Sequence, residues 1–189
     1  NRDKFIIQYA GNFGYTFDYK AIIEIAIRLR KEHDIEFHMI GSGAFEKDFK
    51  RAVKMKGLDN IKFFPWQDLN MIADVYSACD LEIVTLSKNV IKYSYPSKLS
   101  LVMSCGKTFM CMTEKQSYFF KYVNDKEIGK CINFHEYQKA ADWLVYISKN
   151  KNRLEQLERN AYHIGGPLYS SDNNAYKYVD IAKELGRKK

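Results

Sequence analysis

Ser97 and Lys98, introduced by Pro96 and followed by an apolar stretch that stops at Gly106, are the residues of this chain best suited to hold an anion. A helix entered through Pro-Ser-Lys offers a preset first turn, backbone N–H groups that no intrahelical acceptor takes, and one full positive charge. Gly106 suits the left-handed end of such a helix. The chemistry implied is the binding of a phosphate or diphosphate, with ordinary helix capping as the alternative. Ser94 and Tyr95 stand just ahead, with Tyr93 beside them. Their rings and hydroxyls suit a sugar, or cover a loop. Gly11-Asn12-Phe13-Gly14, with Tyr15 next, lets backbone approach a ligand closely, or makes a plain strand-to-helix turn. Gly41-Ser42-Gly43 carries the same two readings. In Pro65-Trp66-Gln67 the indole either flanks a planar base or packs over a sheet edge. Glu114 either reaches a crevice or caps the helix that follows.

Other chemistries are disfavoured. The first glycine loop lacks the third glycine of a dinucleotide fingerprint, and Ile40-Gly41 stand where an acidic residue would hold a ribose. The four histidines are scattered, and Cys79, Cys105, Cys111 and Cys131 include no CxxC pair. They read as free thiols in a reducing compartment, which implies a cytoplasmic location and no structural metal. A net charge of +7 is spread along the chain apart from Arg187-Lys188-Lys189. That spread argues against a nucleic-acid partner. It suits nucleotide phosphates, and peripheral attachment to the anionic inner face of a membrane. No apolar run is long enough to span a bilayer, so a soluble fold is expected.

The elements that must position these residues alternate. Apolar strands are expected at Phe5 to Ala10, Ile35 to Ile40, Ile61 to Phe64, Leu81 to Leu86, Thr108 to Met112 and Gly129 to Asn133. Helices are expected from an Asp18 cap to Lys31, from Ala44 to Lys56, from an Asp68 cap through Ala78, and from Pro96. Further helices fall at Ser117 to Asn124, Glu136 to Asn150, Lys151 to His163 and Asn173 to Leu185. This pattern predicts an α/β, Rossmann-like, doubly wound parallel six-stranded sheet in the order 3-2-1-4-5-6, with helices on both faces. Ligands of such sheets bind beyond the carboxyl ends of the strands, at the switch between the first and fourth. A chain that opens at Asn1 on a strand is read as a piece of a longer protein whose missing part lies upstream. Residues 1–166 make the domain and residues 167–189 a helix that leaves it.

Taken in order, Tyr9 to Gly14 with Ile22-Ile23-Glu24, Phe37 to Gly43, Asn60 to Trp66 with Val75 to Asp80, and Tyr95 to Lys107 resemble one family. The resemblance is to the carboxyl-terminal, nucleotide-sugar-binding half of a GT-B glycosyltransferase of group 1 (family 4). It is nearest the surface-polysaccharide branch with Pro-Ser-Lys at this helix. It implies a retaining, metal-independent hexosyltransferase of surface polysaccharide or glycoconjugate synthesis, inactive without its amino-terminal domain. No cofactor is implied; the ligand is a UDP- or GDP-linked sugar, and the acceptor a glycan or lipid-linked glycan on the absent half. By the resemblance, Gly11 to Tyr15 and Ser94 to Lys98 meet the donor diphosphate and sugar, and Pro65 to Gln67 meet the base. Gly165-Gly166-Pro167 is the hinge to a final helix that crosses back to the amino-terminal domain. Two glutamates of the family pattern are replaced by Ser94 and Leu101, and Asn12 and Phe17 stand near its usual Arg and Lys. The alternative implied by these departures is a non-catalytic domain serving as assembly or chaperone partner of another transferase.

Overall fold

The structure is a computed structural model that describes residues 4–165, 167 and 171–186. Six parallel strands form one sheet: β1 (Phe5–Ala10), β2 (Ile35–Ile40), β3 (Ile61–Phe64), β4 (Leu81–Thr85), β5 (Phe109–Thr113) and β6 (Lys130–Asn133). Their order is β3-β2-β1-β4-β5-β6, as the alternating pattern predicts. β1 matches β2 over its whole length, from Phe5 against Ile35 to Ala10 against Ile40. Strands β4 and β5 are buried at every position, which is why they read as largely apolar runs, Glu82 of β4 being the charged exception.

Helices cover both faces. On one face α1 (Tyr19–Arg28) packs between α2 (Glu46–Lys56) and α6 (Tyr137–Lys149). Ile22, Ile25, Phe37, Ile83 and Leu144 meet there with no exposed surface. On the other face α3 (Ile72–Ser77), α4 (Lys98–Ser104) and α5 (Tyr118–Lys126) enclose Val84, Val102, Phe109 and Cys111. Then α7 (Lys151–Asn160) runs into a π-helical turn over Ala161–Gly165, which packs on α4. Gly165 is buried there: a Cβ on it would lie 2.0 Å from Met103 Sδ, so it serves close packing. The four cysteines are free thiols, three of them buried.

Several boundaries differ from the sequence reading. Asp18 does cap α1, its Oδ1 accepting from the N–H groups of Lys20 and Ala21, but the helix ends at Arg28. Asp68 caps nothing: a 3-10 turn over Leu69–Met71 comes first, and α3 follows as six residues. Near Pro96 the helix opens only at Lys98 and runs seven residues. The last helix, α8, spans Ser171–Gly186. The expected boundary at residue 166 lies outside the described residues. From residue 175 onward α8 is exposed throughout, Ile181 and Leu185 included. No described helix is long and apolar enough to cross a membrane.

Candidate functional site

The ladder between β1 and β4 is short. Ile7 pairs with Leu81 and Gln8 with Glu82, and beyond them the strands part. The gap opens at their carboxyl ends into a cleft of about 610 Å³. Gly11 and Asn12 line one side, Ser94 to Lys98 the other, and Leu101 reaches the same space with 39% of its surface exposed. The N–H groups of Ser97 and Lys98 have no backbone acceptor among the described residues.

The rest of the first glycine loop turns away from the cleft. Phe13 is fully buried among Tyr9, Phe17 and Phe49, because an aromatic ring at this turn finds the core under α1 and α2. Tyr15 is exposed and stands edge-on to Phe45. Gly14 packs on the Asn12 amide, and its carbonyl accepts from Phe17 N–H. Gly41, Ser42 and Gly43 lie behind this loop. Gly11 N–H donates to Ile40 O, and Phe13 N–H to Ser42 O. Two donors of the loop are therefore used within the protein. Gly41 has φ +129°, and a Cβ on it would sit 2.1 Å from Gly11 O, so only glycine lets the two turns touch.

Trp66 and Gln67 border a smaller pocket of about 120 Å³ that also reaches Gly11 and Tyr76. The Trp66 indole N–H donates to Ser42 Oγ, and its ring remains 57% exposed. Gln67 turns its amide back to donate to Pro65 O. Tyr95 is half-exposed and meets Phe119 edge-on. Glu114 has another task. Its Oε1 accepts Asn89 N–H at 2.6 Å and so fastens the turn after β4. Ser117 caps α5 in its place, accepting from Phe120 N–H.

Lys98 does not project from the helix mouth as its position suggests. Its side chain, 17% exposed, runs inward, and Nζ lies 3.2 Å from the centroid of the Tyr9 ring. Glu82 Oε1 is 3.6 Å from Nζ. The glutamate is fully buried in β4, and it escaped the sequence reading because one carboxylate inside an apolar run was absorbed into the strand. A charged residue in a strand covered on both faces is the signal that could have found it. The carboxylate has a structural use: Ala10 N–H, left without a ladder partner where β1 and β4 part, donates to Oε1 at 3.1 Å. Burial pushes Glu82 up to about 7, against the pull of Lys98 and of the Ala10 N–H. Burial likewise pulls Lys98 down to about 8, against the attraction of Glu82. Among the described residues no three His, Cys, Asp or Glu side chains gather to hold a metal ion.

A parallel sheet in this order, with its cleft at the switch point, is Rossmann-like, and it matches GT-B glycosyltransferase structures. The family model for glycosyl transferases group 1 matches residues 1–164, and the chain belongs to that family. Two curated relatives are an Escherichia coli (strain K12) protein named as a colanic acid biosynthesis glycosyl transferase, WcaI, and a Pseudomonas aeruginosa protein named as a glycosyltransferase, WbjE. The first is 31% identical over 55% of this chain and 25% of its own length. The second is 26% identical over 68% of this chain and 32% of its own. The chain thus spans about a quarter to a third of these relatives. Among solved structures, the carboxyl-terminal domain of a group 1 protein, LpcC, from Francisella tularensis aligns with a TM-score of 0.68 at 23% identity. That alignment covers 86% of this chain and 89% of the domain. HepE of Anabaena, in complex with UDP-glucose, aligns with a TM-score of 0.76 at 17% identity, over 98% of this chain and 49% of its own.

Proposed function

We propose that this chain is the nucleotide-sugar-binding half of a retaining glycosyltransferase that makes surface polysaccharide or a related glycoconjugate. The observation that carries the reading is the cleft where β1 and β4 part, walled by the Gly11 turn and by the start of α4 with Lys98. In this reading the donor diphosphate lies between Gly11-Asn12 and Ser97-Lys98. The sugar rests toward Ser94 and Tyr95, and the base against Trp66 and Gln67. Likeness to HepE, seen with UDP and with UDP-glucose, supports a UDP-linked donor, with GDP as the competitor to test. Group membership and the colanic acid relative support a role in polysaccharide synthesis.

The chain's own residues supply the chemistry of departure. Backbone N–H groups of Ser97 and Lys98 and the Lys98 ammonium offset the charge that builds on the nucleoside diphosphate as the glycosidic bond to it breaks. No metal is needed for that task in this reading. The exposed apolar residues of α8 would be covered by an amino-terminal domain that also brings the glycan or lipid-linked acceptor. The isolated piece is then expected to bind donor without transferring sugar.

Two observations favour a second reading. Leu101 presents an apolar side chain to the cleft, and Lys98 is held by the protein itself. A domain that has lost donor binding and serves as assembly partner of another transferase would tolerate both. Calorimetric titration of the full-length protein with UDP and with GDP separates the two. Saturable heat is expected with one of them; none at millimolar ligand, together with a stable hetero-oligomer by light scattering, would move the conclusion to the assembly role.

A further inference from the structure

Beneath the cleft lies a pair of charges that are poorly served. Glu82 Oε1 accepts the Ala10 N–H, while Oε2 has no hydrogen-bond partner among the described residues. Lys98 Nζ is buried and equally without one, since 3.6 Å to Oε1 is a charge contact and too long for a hydrogen bond. Its remaining neighbours are the face of Tyr9 and the backbone at Gly11, where a Cβ would come within 2.9 Å of Nζ. Three ammonium donors thus lack an acceptor while the stem of the side chain borders the open cleft. A phosphate oxygen entering that cleft offers the charge-assisted hydrogen bond that Glu82 does not make.

The titratable groups around the carboxylate come from each element packed on it. Tyr9 stands on β1, Tyr76 on α3, Cys79 just after α3 and Lys98 on α4, while Cys111 on β5 faces Lys98. Burial pushes both tyrosines and Cys79 far up, so they are uncharged near neutrality. Lys98 is therefore the cation on which the Glu82 charge depends. A fully buried carboxylate that loses its cation and keeps only neutral donors, Ala10 N–H and the Gln8 amide, takes a proton instead.

We propose that Glu82 is a positioning residue for Lys98, and that it takes one proton from solvent when the Lys98 ammonium turns from it to the donor diphosphate. The inference rests on the cleft being a donor site. At about pH 7, below the value of about 8 for Lys98, the ammonium keeps its own proton throughout, the Glu82 carboxylate becomes the carboxylic acid, and no bond of the donor changes. Glu82, at about 7, is already poised close to the change. Its carboxylate thus parks Lys98 beside the cleft until a diphosphate enters.

The test is titration of the full-length protein with UDP at about pH 7, where Glu82 is half ionised and Lys98 almost wholly charged, in two buffers of different ionisation enthalpy. The UDP phosphate is itself largely ionised there, since its last proton leaves near pH 6 as in other phosphate monoesters, about 1 unit below the working pH. Net uptake of up to about half a proton per UDP bound is expected, because a group at about 7 is half ionised there. Glu82→Gln should bind UDP with the uptake largely gone. Lys98→Arg, whose cation does not titrate in this range, should bind with the uptake retained; uptake lost there would assign the proton to the lysine and overturn the inference, and this arm carries the assignment should Glu82→Gln not fold. UDP binding with no proton taken up overturns the inference and leaves the donor site standing. Undiminished uptake in Glu82→Gln overturns it too. Absence of binding by both UDP and GDP overturns the inference and the donor reading together.

Discussion

The Glu82–Lys98 pair makes the protein's stability depend on pH in a definite way. Glu82 holds its proton more tightly in the folded protein than its ordinary value of 4.5, at about 7. Its favourable contribution is therefore complete below about 4.5 and is lost as pH rises through about 7. Lys98 runs the other way, from 10.5 to about 8: its contribution is complete above about 10.5 and is lost as pH falls through about 8. Both are charged, and both costs are felt, between about 7 and 8. The double variant Glu82→Gln, Lys98→Met removes them. Scanning calorimetry should show it gaining stability over the parent at about pH 7.5 relative to about pH 5, by roughly 1–3 kcal/mol, as for other buried ion pairs replaced by neutral groups. Parallel stability curves for the two proteins would show that burial of the pair costs nothing. At Gly41 the constraint is steric. Gly41→Ala drives a methyl into Gly11 O at a φ that alanine resists, and should cost about 1–3 kcal/mol, read as a midpoint in urea lowered at unchanged slope.

At the scale of elements, strand identity and order were readable because burial on both faces strongly favours apolar residues, as in Met110-Cys111-Met112 of β5. Helix starts were less so. Asp18 and Asp68 look alike ahead of amphipathic stretches, yet only Asp18 finds N–H groups to accept from, because the chain after Asp68 first tightens into a 3-10 turn. Asp18→Ala should cost about 1 kcal/mol, and Asp68→Ala close to none, in paired thermal melts. Equal losses would mean that the cap on α1 is not what steadies it. The site itself was half legible. Glycines and Pro-Ser-Lys marked the cleft walls, but a two-residue delay in the start of α4 decides which way Lys98 points, and spacing does not encode that. Phe13 sits beside the same glycines and was assigned with them; its ring belongs to the core, because a large apolar side chain follows burial wherever a turn allows it.

Across the whole molecule, the contrast is between a sheet sealed on both faces and a last helix that is open to solvent. Tyr178, Ile181 and Leu185 of α8 are each more than half exposed. If an amino-terminal domain covers them, amides of α8 will exchange with deuterium far more slowly in the full-length protein than in this chain alone, while those of α1 stay equally protected in both. Fast exchange of α8 in the full-length protein would remove that role. The pairing of Ile7 with Leu81 has a consequence of its own. During synthesis β1 can align with β2 as soon as residue 40 has left the ribosome, but its second neighbour emerges only some forty residues later. At about 5–20 residues per second that is an interval of seconds. Through it a nascent three-stranded half must wait with the flank of β1 uncovered, the stage at which a bound chaperone would do most to keep the chain from aggregating.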